Sequence, residues 1–283
     1  MERLRGCNAT ALLIGFLYGH VCHAHPTVTL GEVVPVDRQI DVDRIDHSSW
    51  DALLKKYVDD AGFVDYAGWK GAAADVGALD GYLSRLSTAK FTGTSTREAR
   101  LAFWINAYNA MAVRGILREY PTTSIRNHTA KVYGYNIWKD LQLPVAGQAW
   151  SLDAIEHQVL RKMGEPRIHF AIVCASKGCP RLLNEAYTAQ RVDEQLTANA
   201  VQFFSDSAKF AANADSGTVQ VSPILKWFGE DFGGDPSAQL KSIAPYLPET
   251  HRKLALSGRA RVTYLDYDWG LNDRAGRPVG GRR

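Results

Sequence analysis

Apolar residues recur at helical spacing along most of the chain. The strongest such pattern covers residues 96–119 and ends before Pro121, which cannot continue a helix. Shorter helical patterns cover residues 48–57, 72–86, 151–163, 188–205, 223–228, 236–246 and 248–256. Helices are therefore predicted to dominate the fold.

Strand-like patterns are few and short. Residues 209–221 alternate around a Gly-containing turn and predict a hairpin, and residues 261–266 predict a last strand. A continuous apolar run over 167–174 predicts a buried strand. Because strands do not alternate regularly with helices, we predict an α+β fold: a single helix-dominated domain with a small central β-sheet containing 168–174 and 261–266.

The first 24 residues have the pattern of a secretory signal. Arg3 and Arg5 precede a short apolar stretch, and the small residue Ala24 offers a cleavage site before His25. The apolar stretch is too short to span a bilayer, and an uncleaved N-terminal anchor is the alternative. We predict a signal peptide over 1–24 and a periplasmic or secreted protein.

The rest of the chain divides into three segments. We predict an extended lead-in over 25–47, the α+β domain over 48–272 and a disordered Gly- and Arg-rich tail over 273–283. No other segment is apolar for long enough to cross a membrane. The formal net charge is +3, and removal of the signal leaves it near neutral, so we expect no nucleic-acid partner. The expected ligand is a small molecule or a peptide, with no cofactor.

Cys174 and Cys179 are the only cysteines outside the predicted signal. Paired cysteines of an exported chain tend to form a disulfide. Alternatively, Cys174 is a reactive thiol whose pKa Lys177 and Arg181 lower. The spacing fits no common zinc pattern, so no metal site is expected. The choice between disulfide and thiol stays open at this stage.

A nucleophilic Cys174 needs a general base. On a regular strand, His169 and Cys174 point to opposite faces and their Cα atoms are about 16 Å apart. This geometry excludes His169 as the base unless the strand is bulged. His157 is the predicted base, and His128 and His251 are weaker candidates because their surroundings are polar.

Glu156 shares the apolar side of the helix predicted over 151–163. A carboxyl group placed there needs a partner, or its pKa must rise. Asp153, His157 and Arg161 follow at four-residue spacing along the edge of the same helix. His157 therefore either stays between its charged neighbours or turns into a cleft.

Two amides, Asn106 and Asn109, lie toward the apolar side of the helix over 96–119. An unpaired buried amide is costly, so both must be hydrogen-bonded. They either hold neighbouring backbone or line a binding site. Asp266 and Asp268 would share a strand face and receive a buried Arg or Lys; the alternative is two exposed acids beside packed aromatic rings.

Several motifs follow one another between residues 50 and 272. They are Phe103-Trp104-Ile105-Asn106-Ala107-Tyr108-Asn109, Ile155-Glu156-His157, His169-Phe170-Ala171 through Cys174, Gly178-Cys179-Pro180, Lys226-Trp227-Phe228-Gly229-Glu230-Asp231-Phe232 and Tyr267-Asp268-Trp269-Gly270-Leu271-Asn272. In this order they resemble the DUF547 family, a domain of unknown function. The resemblance implies a cysteine at the position of Cys174 more often than at that of Cys179. It implies no catalytic residues.

Two functions remain. The first is a thiol-dependent hydrolase or transferase with a papain- or transglutaminase-like division of labour, in which Cys174 is the nucleophile, His157 the base, and Glu156 or Asn106 an orienting or oxyanion partner. The second is a non-catalytic binding or cell-envelope module with a structural Cys174–Cys179 disulfide. The candidate binding residues are Asn106, Asn109, His169 and Asp268.

Overall fold

The computed structural model describes residues 26–130 and 134–276. The predicted signal peptide, and residues 277–283 of the predicted tail, lie outside the described residues. Helices α1 to α10 are Ser48–Tyr57, Tyr66–Gly71, Ala73–Ser87, Arg97–Glu119, Ile137–Asp140, Leu152–Ala154, Val192–Ser205, Ile224–Trp227, Pro236–Ile243 and Glu249–Leu256. Strands β1 to β8 are Val28–Thr29, Ile40–Asp41, Ala89–Lys90, Leu141–Val145, Gln148–Ser151, Phe210–Asn213, Thr218–Val221 and Arg261–Tyr264.

Shorter helical turns connect these elements. A π-helix covers Ile155–Leu160, and 3₁₀ turns cover Val36–Arg38, Val42–Arg44, Ile125–His128, Arg161–Met163, Pro166–Phe170, Gly229–Phe232, Ala244–Tyr246 and Arg274–Gly276. Helices dominate and the strands form only small sheets, which confirms the helix-dominated α+β fold class.

Helix α4 is the centre of the larger core. The Thr96 side chain caps it by accepting a hydrogen bond from the backbone N–H of Ala99. Apolar residues are buried on nearly every side of the helix, including Phe103, Ile105 and Met111. The prediction of a long helix ending before Pro121 is therefore confirmed.

The sheets differ from the predicted single central sheet. Their strand orders are β1-β4-β5, β2-β3 and β6-β7-β8. The predicted hairpin over 209–221 is confirmed as β6 and β7. Strand β8 pairs in parallel with β7, so the predicted pairing of 261–266 within a sheet containing 168–174 is wrong.

The segment predicted as a buried strand, 167–174, begins as a 3₁₀ turn. Pro166 starts that turn, and the Glu165 side chain caps it. The carbonyls of Phe170 and Ala171 then accept hydrogen bonds from the side-chain amides of Asn199 and Asn109. Side-chain amides thus supply the partners that a neighbouring strand would supply, and the strand prediction is wrong.

Both ends of the predicted domain extend further than expected. The lead-in contains β1 and β2, and it buries Leu30, Val42 and Ile45 in the core. At the other end, Asp273 accepts a hydrogen bond of 2.8 Å from the Tyr120 hydroxyl, and a 3₁₀ turn covers Arg274–Gly276. Across 26–130 and 134–276, every helix is too short or too polar to cross a bilayer.

Candidate functional site

The site is built around residues 174–180, which we call the cysteine turn. Ala175 adopts a left-handed conformation with φ of 60°, which is unfavourable for a residue with a Cβ atom. The turn is held in place by the C-terminal segment: Lys177 and Gly178 donate backbone hydrogen bonds to the carbonyls of Gly270 and Asp268, each 2.8 Å long. These bonds fix a strained backbone at the point where both cysteines are presented.

Cys174 and Cys179 are free cysteines, and their sulfur atoms lie 2.7 Å apart. The Cys179 sulfur also accepts from the backbone N–H of Cys174 at 3.1 Å. The hydroxyls of Tyr267 and Ser176 lie 3.1 and 3.3 Å from the same sulfur. Four hydrogen-bonding groups therefore surround the Cys179 sulfur, and the backbone N–H of Cys174 is a donor by its chemistry.

This convergence decides which thiol ionises first. Burial raises the pKa of Cys179, but the hydrogen bonds from Cys174, Ser176 and Tyr267 outweigh it and lower that pKa to about 6. The pKa of Cys174 is raised, because its thiol donates to Cys179 and because it is buried. These opposite directions favour ionisation of Cys179 before Cys174.

The two sulfurs lie at the wall of a cavity of 270 Å³, which we call the cysteine cavity. It is lined by Tyr108, Trp138, Asp153, Glu156, His157, His169, Ile172, Cys174, Cys179, Pro180, Ile224, Trp227, Phe228, Tyr267 and Trp269. Trp227 stacks on Trp269 at 5.8 Å between ring centroids and is 47% exposed. The cavity thus combines a thiol pair, carboxyl and imidazole groups, and aromatic walls.

Glu156 enters this cavity from the π-helix, a helical form that often occurs at functional sites. Burial, and after it the charge of Cys179, raise its pKa to about 7. The Tyr108 hydroxyl donates to it over a long 3.4 Å. The prediction that this carboxyl must be paired or have a raised pKa is confirmed.

His157 combines both predicted environments. Its Nδ1 lies 3.2 Å from Arg161 Nη1 and its Nε2 lies 3.9 Å from Asp153, which confirms the polar stripe. Its side chain is 41% exposed and also lines the cysteine cavity.

His169 also lines the cavity. A regular strand would have pointed it away from Cys174, but His169 lies in a 3₁₀ turn, so that reason to exclude it as the base does not apply. Its Nε2 lies 2.7 Å from Asp231, which in turn accepts two hydrogen bonds from Arg161. Burial lowers the pKa of His169 to about 4. A neutral ring that donates from Nε2 to Asp231 leaves Nδ1 as an acceptor.

The amides are buried and hydrogen-bonded, as predicted. Asn106 bonds the backbone of Tyr187 through both its oxygen and its nitrogen. Asn109 donates to the Ala171 carbonyl and accepts from the Val173 N–H. These bonds hold the backbone that leads into the cysteine turn. Both amides therefore hold neighbouring backbone.

Asp268 does not receive a buried cation. Strand β8 ends at Tyr264, and the side chain of Asp268 is exposed and accepts from the Gly270 backbone N–H at 2.8 Å. Asp266 is exposed as well. The alternative prediction of exposed acids beside packed aromatic rings is confirmed.

Sequence reasoning missed three contributors: Ser176, Asp231 and Tyr267. Ser176 follows Cys174 by two residues, yet only the left-handed Ala175 turns its hydroxyl toward Cys179. Asp231 and Tyr267 lie in motifs that carried the family resemblance, but spacing cannot show which distant segment meets a turn.

Residues 92–204 match the sequence model of the family described as "Protein of unknown function, DUF547". This confirms the DUF547 resemblance. The DUF547 match contains both cysteines, Glu156 and His169, and ends before Tyr267. No curated protein and no solved structure matches the chain.

Proposed function

We propose that this DUF547 chain is an exported thiol-dependent hydrolase or transferase that works in the cysteine cavity. The observation that carries the proposal is the set of hydrogen-bonding groups around the Cys179 sulfur. A thiol with a lowered pKa is a nucleophile near neutral pH. Cys174 was the predicted nucleophile; the hydrogen bonds favour Cys179 as the attacking sulfur and Cys174 as the neutral thiol that stabilises it.

The reaction class is acyl transfer. The Cys179 thiolate attacks a carbonyl carbon, and a C–S bond forms as the bond to the leaving group breaks. The neutral carboxyl of Glu156 gives its proton to that leaving group. Water or a second nucleophile then attacks the thioester, gives a proton back to Glu156 and releases the acyl group, which regenerates the thiolate.

Glu156 and His157 serve as acid–base groups in different steps of the proposed reaction. The pKa of Glu156, about 7, suits proton transfer in both directions near neutral pH. His157, the predicted base, is exposed at the rim, where it can act on the second nucleophile. The neutral His169, oriented by Asp231, is a further acceptor on the same wall.

Acetylation by p-nitrophenyl acetate, an activated ester, tests the proposal. We expect a burst of about one p-nitrophenol per chain and a single acetyl group on Cys179, with a rate half-maximal near pH 6. Cys179→Ser should abolish the burst. Glu156→Gln should slow turnover of the acyl-enzyme by roughly 10²-fold or more.

Cys174→Ser is the matched control, because a serine hydroxyl still donates to Cys179. It should keep the burst and a low pH midpoint, whereas Cys174→Ala should raise the midpoint. An acetyl group found on Cys174 in the native chain would instead support the original assignment of the nucleophile. Absence of an acetyl group from both cysteines would contradict the proposal.

The second candidate is the binding or cell-envelope module with a Cys174–Cys179 disulfide. The 2.7 Å approach of the two sulfurs favours it, because oxidation requires little movement of the turn. In that case the purified protein would lack the mass of two hydrogen atoms, and iodoacetamide would label neither cysteine before reduction. A reduced and acetylated protein would exclude it.

A further inference from the structure

A second, larger cavity of 640 Å³ borders helix α4 and the π-helix. Trp104 lines it, whereas Tyr108, one turn later on α4, lines the cysteine cavity. Val159 of the π-helix faces it, whereas Glu156 faces the cysteine cavity. The two cavities have no lining residue in common, so the larger one is a separate place for a ligand.

Aromatic rings form one wall of this cavity. Phe91 stacks on Trp104 with 5.4 Å between ring centroids, and Trp150 meets Trp104 edge-on at 5.2 Å. Trp150 comes from the β4–β5 hairpin, so the wall joins two separate elements. Such a wall favours a flat apolar group.

The cavity lining also carries positive charge. Arg97 and Arg100 line the cavity, and its lining contains no acidic residue. The Nε of Arg100 is buried and finds no acceptor in the described part of the chain. Its Nη2 is bound to the Thr92 carbonyl, so the guanidinium is only partly satisfied. The buried Nε is out of a ligand's direct reach, so an anion in the cavity would pair with the terminal nitrogens of the guanidinium.

The location on α4 strengthens this positive character. Both arginines belong to the first turn of a 23-residue helix, whose N-terminus carries a partial positive charge. Arg97 is also 49% exposed and its nearest carboxylate, Glu165, is 3.9 Å away. Arg97 Nη2 donates to the Met163 carbonyl at 3.1 Å, and the exposed remainder of the guanidinium can take an anion that enters from solvent.

We propose that this cavity, the arginine cavity, binds a small organic anion with a flat apolar body. Its carboxylate, sulfonate or phosphate group pairs with Arg100 and Arg97, and its rings lie against Trp104 and Trp150. The guanidinium fork suits such oxyanions better than a point charge does. This binding site does not depend on the chemistry of the cysteine cavity.

Two fluorescent probes that differ only in charge test the site. 1-Anilinonaphthalene-8-sulfonate carries a sulfonate, and N-phenyl-1-naphthylamine has the same rings without it. We expect the anionic probe to bind the full chain at one saturable site and quench tryptophan fluorescence. Arg97→Gln and Arg100→Gln should each raise its Kd about tenfold or more, and should change the Kd of the neutral probe less than about twofold.

Arg85→Gln is the control, since Arg85 lies outside the cavity and pairs with Asp46 at the surface. It should leave both probes unaffected. Arg97 is exposed, so Arg97→Gln decides the result even if Arg100→Gln fails to fold. Equal weakening of both probes, no weakening by Arg97→Gln, or loss of binding only in Trp227→Ala of the cysteine cavity would each overturn the proposal.

Discussion

The raised pKa of the Glu156 carboxyl group lowers the folding stability of the protein near neutral pH. Glu156 is half-buried in the wall of the cysteine cavity and has a single long hydrogen bond, from Tyr108. Its pKa is 4.5 in an unfolded chain and about 7 in the fold, mainly because of burial. The folded protein therefore keeps a proton that the unfolded chain releases, and folding stability falls as the pH rises from 4.5 to 7.

Glu156→Gln removes this titration while keeping the shape of the side chain. We expect the variant to be more stable than the native protein by up to about 3 kcal/mol at pH 8, because the native carboxylate must then be ionised in a buried place. The gain should shrink to near zero by pH 4.5. Urea denaturation at several pH values measures it.

Asp266→Asn is the control for the loss of a negative charge, since Asp266 is exposed and lies outside the lining of the cysteine cavity. A gain for Glu156→Gln that is equal at pH 5 and pH 8, or matched by Asp266→Asn, would contradict a raised pKa at Glu156.

At the scale of elements, the cysteine turn depends on a close contact with an aromatic ring. A Cβ atom on Gly178 would lie 2.9 Å from three carbons of the Tyr267 ring. Gly178 therefore allows the ring to lie flat on the turn, with its hydroxyl 3.1 Å from the Cys179 sulfur. The turn and the ring together create the low pKa of Cys179.

Gly178→Ala should move the Tyr267 ring away and remove a donor from the sulfur. We expect the pH midpoint of Cys179 alkylation by iodoacetamide to rise from near 6, and the protein to lose roughly 1–3 kcal/mol of stability through overpacking. Gly77→Ala is the matched control, because its Cβ would meet no atom within 4 Å. An unchanged midpoint in Gly178→Ala would show that Tyr267 does not stabilise the thiolate.

Helices with a long apolar repeat could be predicted from the sequence. Elements whose backbone hydrogen bonds go to a distant segment could not. Helix α4 makes its own backbone hydrogen bonds, so its pattern was sufficient. The apolar run over 167–174 resembles a strand, but its hydrogen bonds go to amides on α4 and α7. The β4–β5 hairpin was missed because its turn places Ala146 at φ of 51°, where Gly or Asn is the usual signal.

At the scale of the whole molecule, the site is assembled from both halves of the chain. The DUF547 match ends at residue 204, yet the backbone partners of the cysteine turn lie in 268–272. Asn272 connects these parts: it accepts from the Tyr66 hydroxyl at 3.0 Å and donates to the Gly62 carbonyl at 3.2 Å. Its backbone N–H also donates to Ala175. Sequence spacing does not contain such long-range pairings.

Asn272→Ala would leave the buried Tyr66 hydroxyl and the Gly62 carbonyl without partners. We expect a loss of about 2–3 kcal/mol in urea denaturation, together with faster alkylation of Cys179 as the C-terminal segment loosens. Asn127→Ala, at an exposed amide, should change neither quantity. Loss of stability without any change in alkylation would mean that the segment does not control access to the cavity.

The hydrogen bonds of Asn109 have a consequence for association between chains. Ile168 to Cys174 is an apolar, β-prone sequence, and such segments template intermolecular sheets when their backbone groups are free. In the fold, Asn109 and Asn199 occupy the carbonyls of Ala171 and Phe170, and Asn109 also holds the Val173 N–H. The amides that position the cysteine turn therefore also protect against aggregation, because these carbonyls and this N–H are not available to pair with another chain.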